Sequence, residues 1–148
     1  MDRRLIFGAA REYIGTPFHQ QGRVKGVGMD CAGIVLCVGE DLGLRYCDGS
    51  PIRRFDYKDY GMFPVLDAMQ KEAQKIFVMK PFKQMVPGDI LTMRAPFIVH
   101  HMAIVSQLKQ GIGIIHAHGG VGKIVEHLLD ARWAERIAGV FSYSGVDD

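Results

Sequence analysis

Pro87-Gly88-Asp89 divides the hydrophobic pattern of this chain into two halves that call for different secondary structure. Beyond it come short, β-branched runs separated by turn residues: Ile90 to Met93, Val99 to Leu108, Gly111 to Ala117, Lys123 to Leu128 and Ile137 to Tyr143. Such runs with short connections predict an antiparallel sheet. Before it, apolar residues recur at helical spacing. Leu5, Ile6, Ala9, Ala10, Tyr13 and Ile14 form a stripe closed by Gly15, with Pro17 beyond. Ile34, Val35, Val38 and Leu42 follow Asp30 and stop at Gly43, and Val65, Leu66, Met69, Ala73 and Ile76 predict a helix over Met62 to Ile76. Phe18 to Met29 is a polar, Gly-punctuated loop, and Tyr46 to Tyr60 lacks a clean period. Helices first and strands later predict an α+β fold.

The chain has 148 residues and shows no repeat, low-complexity tract or linker, so one domain over 1–148 is expected. A net charge of +2 with scattered Lys and Arg gives no footprint for nucleic acid or a membrane surface. Three cysteines without a repeated spacing make no disulfide framework. The apolar run Leu5 to Ala10 is cut off by Arg11-Glu12, too short for a signal peptide, and no segment could insert across a bilayer. Synthesis and folding in a reducing cytoplasm are therefore expected, whatever the later site of action.

One cysteine stands in an unusual setting. In Asp30-Cys31-Ala32-Gly33-Ile34, Asp30 is a good N-cap, which puts Cys31 in the first turn of its helix after a loop carrying Gly22, Gly26 and Gly28. The positive end of the helix dipole favours a thiolate, the nucleophilic form of cysteine. A cysteine in a helix is otherwise a small buried residue, as Cys37 is expected to be, and Cys47 reads as a loop residue.

The histidines supply partners. Alternation puts His101, Ala103 and Val105 on one face of their strand and His100, Met102 and Ile104 on the other. Small Ala103 leaves room on the His101 face for another element, such as a helix. In the next run Ile112, Ile114, His116 and His118 share a face, so a hairpin through Lys109-Gln110-Gly111 makes His101 and His116 cross-strand neighbours. A thiol, a base and a second polar group to orient that base are the parts of a thiol acyl-transfer site. His100, His118 and His127 are expected to be structural or exposed. His116 and His118 could instead share a zinc ion with Cys31 or His101, but no second Cys or carboxylate has clear ligand spacing, so no metal or other cofactor is assigned.

The order of these segments resembles the NlpC-type cell-wall peptidases, a branch of the papain-like cysteine peptidases. The matching pieces are Ile14-Gly15-Thr16-Pro17-Phe18, Asp30-Cys31-Ala32-Gly33-Ile34-Val35, Pro87-Gly88-Asp89-Ile90, His101-Met102-Ala103-Ile104-Val105 and Ile115-His116-Ala117. The loop from Pro17 to Gly28 and the run from Val125 to Trp133, with Ala138-Gly139-Val140-Phe141, resemble the phage-tail and prophage subset. The resemblance implies a nucleophile helix packed on a small antiparallel sheet, with Cys31 as nucleophile, His101 as base and His116 as third residue. It implies peptidoglycan stem peptides as substrate, cleaved between D-glutamate and a diamino acid, and tail-tip proteins as partners. On the substrate side stand Phe18, His19, Arg23 and Asp30, with Asp30 as cap and loop organiser and Arg23 and Lys25 as contacts for stem-peptide carboxylates. Where this chain has Phe18 the family usually has tyrosine, so a hydroxyl is missing beside the nucleophile, and His19 is the candidate to replace it.

Overall fold

The computed structural model describes residues 1–52, 68–94 and 99–146. The first stripe folds as helix α1 (Arg4–Arg11), which turns Ile6, Phe7 and Ala10 inward. The polar loop after it contains structure that periodicity does not reveal. Strands β1 (Arg23–Val24) and β2 (Gly28–Met29) pair as an antiparallel hairpin, each too short to show an alternation. Helix α2 (Cys31–Asp41) follows directly, and helix α3 spans Ala68–Ile76. The part of the expected Met62 helix before Ala68 lies outside the described residues.

The later half forms strands β3 (Val78–Lys80), β4 (Ile90–Arg94), β5 (Val99–Leu108), β6 (Gly111–His118), β7 (Lys123–Leu128) and β8 (Ile137–Ser142), with a short helix α4 (Ala131–Ala134) before the last. They make one sheet of order β3-β8-β4-β5-β6-β7 in which neighbours run antiparallel. The expected α+β architecture, with α2 carrying Cys31 against an antiparallel sheet, is thus present.

Each face of the sheet buries a different set of residues. Ile90, Met102, Ile104 and Ile115 face Ile6 of α1, Ile34 and Val38 of α2, and Ala73 of α3. Leu91, Met93, Ala103, Val105 and Ile114 line the opposite face, with Trp133 of α4 packed against them. The helix face is therefore the Met102–Ile104 face. Ala103 lies on the Trp133 side, where the short helix α4 is the element that packs over it.

Asp89 ties the N-terminus to this sheet. Its fully buried carboxylate accepts hydrogen bonds from Arg3 Nη1 at 2.6 Å, Lys80 Nζ at 2.9 Å and the Val86 N–H at 2.9 Å. Gly88 makes the turn at φ +94°, where a Cβ would lie 3.1 Å from the Arg3 backbone oxygen. The Pro-Gly-Asp segment is thus a structural clasp. Asp89→Ala removes the carboxylate that two cations share in a site where their side chains are only 11% and 7% exposed. It should cost about 3–5 kcal/mol, read as a fall in the urea midpoint, because breaking a buried pair leaves uncompensated charge. Asp89→Asn, which keeps an acceptor there, should lose less.

Candidate active site

Two devices hold Cys31 at the head of α2. Asp30 is the N-cap, extended at φ −110°, and its Oδ1 accepts from the Gly33 N–H at 2.8 Å. The same oxygen receives Arg23 Nη1 at 2.9 Å, and Oδ2 receives the Gln21 N–H at 2.8 Å, so the cap also fixes the hairpin loop. At Gly33 a Cβ would lie 2.6 Å from both the Gly22 carbonyl oxygen and Met29 Sδ. Only glycine at the third residue of α2 lets that loop close onto the helix.

The thiol lies where two strands part. Val105 spends its N–H and C=O on Asp89 and Gly88, toward β4, so alternation turns those of His100, Met102 and Ile104 toward β6. The β5–β6 ladder ends at the pair Ile104–Ile115. Beyond it the thiol of Cys31 donates to the His100 carbonyl oxygen at 3.8 Å, and the Met102 N–H acts on the same sulfur. Cys31 therefore rests on the backbone of the strand that carries His101, hydrogen-bonded to a carbonyl. A β-bulge opposite Met93–Arg94, where Met93 pairs with His101 and Arg94 with Val99, leaves His100 as the extra residue there.

On the Trp133 side of the sheet the imidazoles form a chain. His101 Nε2 and His116 Nδ1 are 2.7 Å apart, His116 Nε2 and His127 Nε2 are 2.8 Å apart, and His127 Nδ1 lies 2.8 Å from the Leu128 carbonyl oxygen. The first contact is a diagonal one, because continuing the ladder would place His116 opposite Ala103. Trp133 is the shelf beneath the rings, its centroid 4.8 Å from His116, 5.2 Å from His127 and 6.2 Å from His101. Arg136 stacks over Trp133 with Cζ 4.6 Å from the centroid.

The charge state differs from the sequence expectation. Burial pushes the Cys31 thiol up to about 12, and the negative charge of Asp30 adds to that. The Met102 and Ala32 N–H groups and Arg23 pull the other way without prevailing. Asp30 holds the Gly33 N–H at the positive end of α2, so the helix terminus is shared between the cap and the sulfur. Burial, with the charges of His118, His100 and Arg136, lowers His101 to about 3. Burial and then His101, His127, His118 and Arg136 lower His116 to about 2. At neutral pH the site therefore rests as a neutral thiol beside neutral imidazoles.

Other sequence candidates fall in varied places. Phe18 is half-buried against the helix-side core, with its N–H on the Gly122 carbonyl at 2.8 Å. His19 is exposed, with Nδ1 3.0 Å from the Gln20 carbonyl oxygen. Asp30 is 2% exposed and committed to the cap, and Arg23, with its side chain 7% exposed, is bound to it. Arg23 and Asp30 thus form the inner frame of the loop. Lys25 lies over the Tyr13 ring, Nζ 4.7 Å from its centroid. His118 holds a turn by accepting from the Gly120 N–H at 3.1 Å and the Val121 N–H at 3.3 Å. Sequence reasoning missed His127 and Trp133. Alternation on β7 could place His127 on a face, but only the pairing of Ile114 with His127 shows that this is the face of His116.

No family model and no curated protein sequence matches the chain. Solved structures do match, at low identity. The NlpC/p60 domain of peptidoglycan hydrolase SagA is 22% identical with a TM-score of 0.60, covering 96% of this chain and 99% of that one. An NLP/P60 family protein similar to lipoprotein from Staphylococcus aureus is 18% identical at TM-score 0.62, and an NlpC/P60 family protein from Bacillus cereus 17% at 0.66. Each of these two covers 95% of this chain, which spans only 41% and 40% of their respective lengths. The fold is that of the NlpC/P60 structures, a papain-like arrangement.

The electrostatics set the reactivity of Cys31. With a thiol pushed up to about 12, the thiolate fraction at pH 7 is very small and grows tenfold per pH unit. Alkylation of Cys31 by iodoacetamide should rise about tenfold per unit between pH 7 and 9 and lag behind exposed Cys47 at pH 7, as followed by peptide mapping. A pH-independent, fast reaction at Cys31 would show that the resting site holds a thiolate.

Proposed function

We propose that the protein is a cysteine peptidase that hydrolyses peptide bonds in peptidoglycan stem peptides, at the D-glutamyl–diamino acid bond. The observation that carries this reading is Cys31 at the head of α2, lodged on the strand that presents His101, with His116 2.7 Å behind that imidazole. The fold supports the substrate class, since it is shared with a domain described as belonging to a peptidoglycan hydrolase. Residues 1–148 serve as one catalytic domain in this reading. The resemblance of the Pro17–Gly28 loop and the C-terminal run to the tail subset supports a role as a phage or prophage tail component acting on the cell wall beside tail-tip proteins.

The reaction begins from neutral groups. In the reaction the thiol leaves the His100 carbonyl and gives its proton to His101 Nδ1 as Sγ attacks the scissile carbonyl carbon. The Cys31 N–H and its neighbours at the start of α2 hold the developing oxyanion. His101 passes the proton to the departing amine. It then takes one from water, which attacks the thioester and releases the new carboxyl, and the proton returns to the sulfur. His116 keeps the His101 ring in orientation.

Mass spectrometry of purified muropeptides incubated with the protein tests this. Cleavage between D-glutamate and the diamino acid is expected. Cys31→Ala and His101→Ala should lower kcat by about three orders of magnitude or more, and His116→Ala by about 10²-fold. His100→Ala should retain most activity. The base must be unprotonated to act, and with His101 lowered to about 3 the rate should persist on acidification to about pH 4, whereas an ordinary histidine would fail near 6.5. Cleavage only between muramic acid and alanine would make the protein an amidase, and intact muropeptides would make it a non-catalytic component.

A further inference from the structure

We propose that His127 is a positioning residue: the Leu128 carbonyl fixes the proton of His127, and the imidazole chain passes that choice to His101. The proposal rests on the reading of Cys31 and His101 as nucleophile and base. It starts from a group whose role is not negotiable, since a carbonyl oxygen only accepts. The nitrogen 2.8 Å from Leu128 O, His127 Nδ1, therefore carries the hydrogen. With the single N–H of an uncharged ring placed there, His127 Nε2 would be the acceptor and His116 Nε2, 2.8 Å away, the donor. His116 Nδ1 is then the acceptor for His101 Nε2–H at 2.7 Å. His101 is left with a bare Nδ1, the nitrogen that must accept the thiol proton. If the chain ran the other way, Nδ1 of His101 would already hold a hydrogen and could not act as base.

The fold holds the chain in this geometry. The pairing of Ile114 with His127 and of His116 with Val125 sets the two rings diagonally on one face of β6 and β7. Trp133 packs against both, and Asp130 pins Trp133 by accepting its N–H at 3.0 Å. His116 itself is fully buried, so without a fixed partner its two ring nitrogens would be free to exchange roles.

The test separates polarity from packing. Proton-detected long-range ¹⁵N NMR of the ring-labelled full-length protein reads each tautomer without any substrate. In the wild type His101 and His116 should carry Nε2–H and His127 Nδ1–H. His127→Gln offers a neutral acceptor to His116 and should preserve the His101 tautomer and most of kcat. His127→Lys can only donate, so it should switch His101 to Nδ1–H and lower kcat by about tenfold or more with little change in KM. A purely structural role would leave the His101 tautomer alike in both variants. Wild-type His101 with Nδ1–H, or a Lys variant that keeps Nε2–H, would overturn the proposal. The expected tautomers in a wild-type protein that cuts no muropeptide would uphold the relay and sink the peptidase reading instead.

Discussion

The separation of β5 from β6 beyond the Ile104–Ile115 pair is the constraint on which the site depends. Had the ladder continued, the His100 carbonyl and Met102 N–H would have been consumed by β6, and the sulfur of Cys31 would have no backbone to rest on. The same separation brings His116 to His101 on the diagonal and not to the position opposite Ala103. One early end to a ladder thus serves both sides of the sheet. It exposes strand polar groups to the helix-bearing side and aligns imidazoles on the other.

Charge is distributed with equal economy. A helix start can stabilise one anion well, and here that anion is Asp30, which holds Gly33, Arg23 and the Gln21 N–H together. The sulfur beside it therefore meets a neighbouring carboxylate and a shielded environment, and stays protonated. Neutral resting partners avoid the cost of holding an ion pair away from water. In the proposed reaction the energy of charge separation would fall in the reaction step itself, where donors at the helix head can respond to it.

Much of the fold was legible because its elements are long and periodic. β5 and β7 run over Val99–Leu108 and Lys123–Leu128, the limits that alternation gives. α1 ends at Arg11, short of the Ile14 that its stripe suggests, because Glu12, Tyr13, Ile14 and Thr16 each donate to the carbonyl three residues back while Gly15 donates to Ile124 of β7. The hairpin of β1 and β2 was hidden because two-residue strands have no period, and what fixes them is the long-range hydrogen bonding of Asp30 and Arg23. At the site, the nearness of His101 and His116 followed from strand faces together with the short turn through Lys109-Gln110-Gly111. The sulfur's state did not, because the helix-terminus argument is local while burial is set by packing from the whole sheet. His127 was invisible for a related reason: a face is a property of one strand, but a shared face is a property of register.

The clasp at Asp89 has a temporal side. Arg3 stands at the start of α1, and its carboxylate partner lies 86 residues further along the chain. The first helix precedes both Asp89 and the strands that bury it, so the clasp can close only once the sheet has formed. The imidazole chain completes later still, with β7. The surroundings of Cys31 on α2 are thus supplied largely by strands that come after it in the chain.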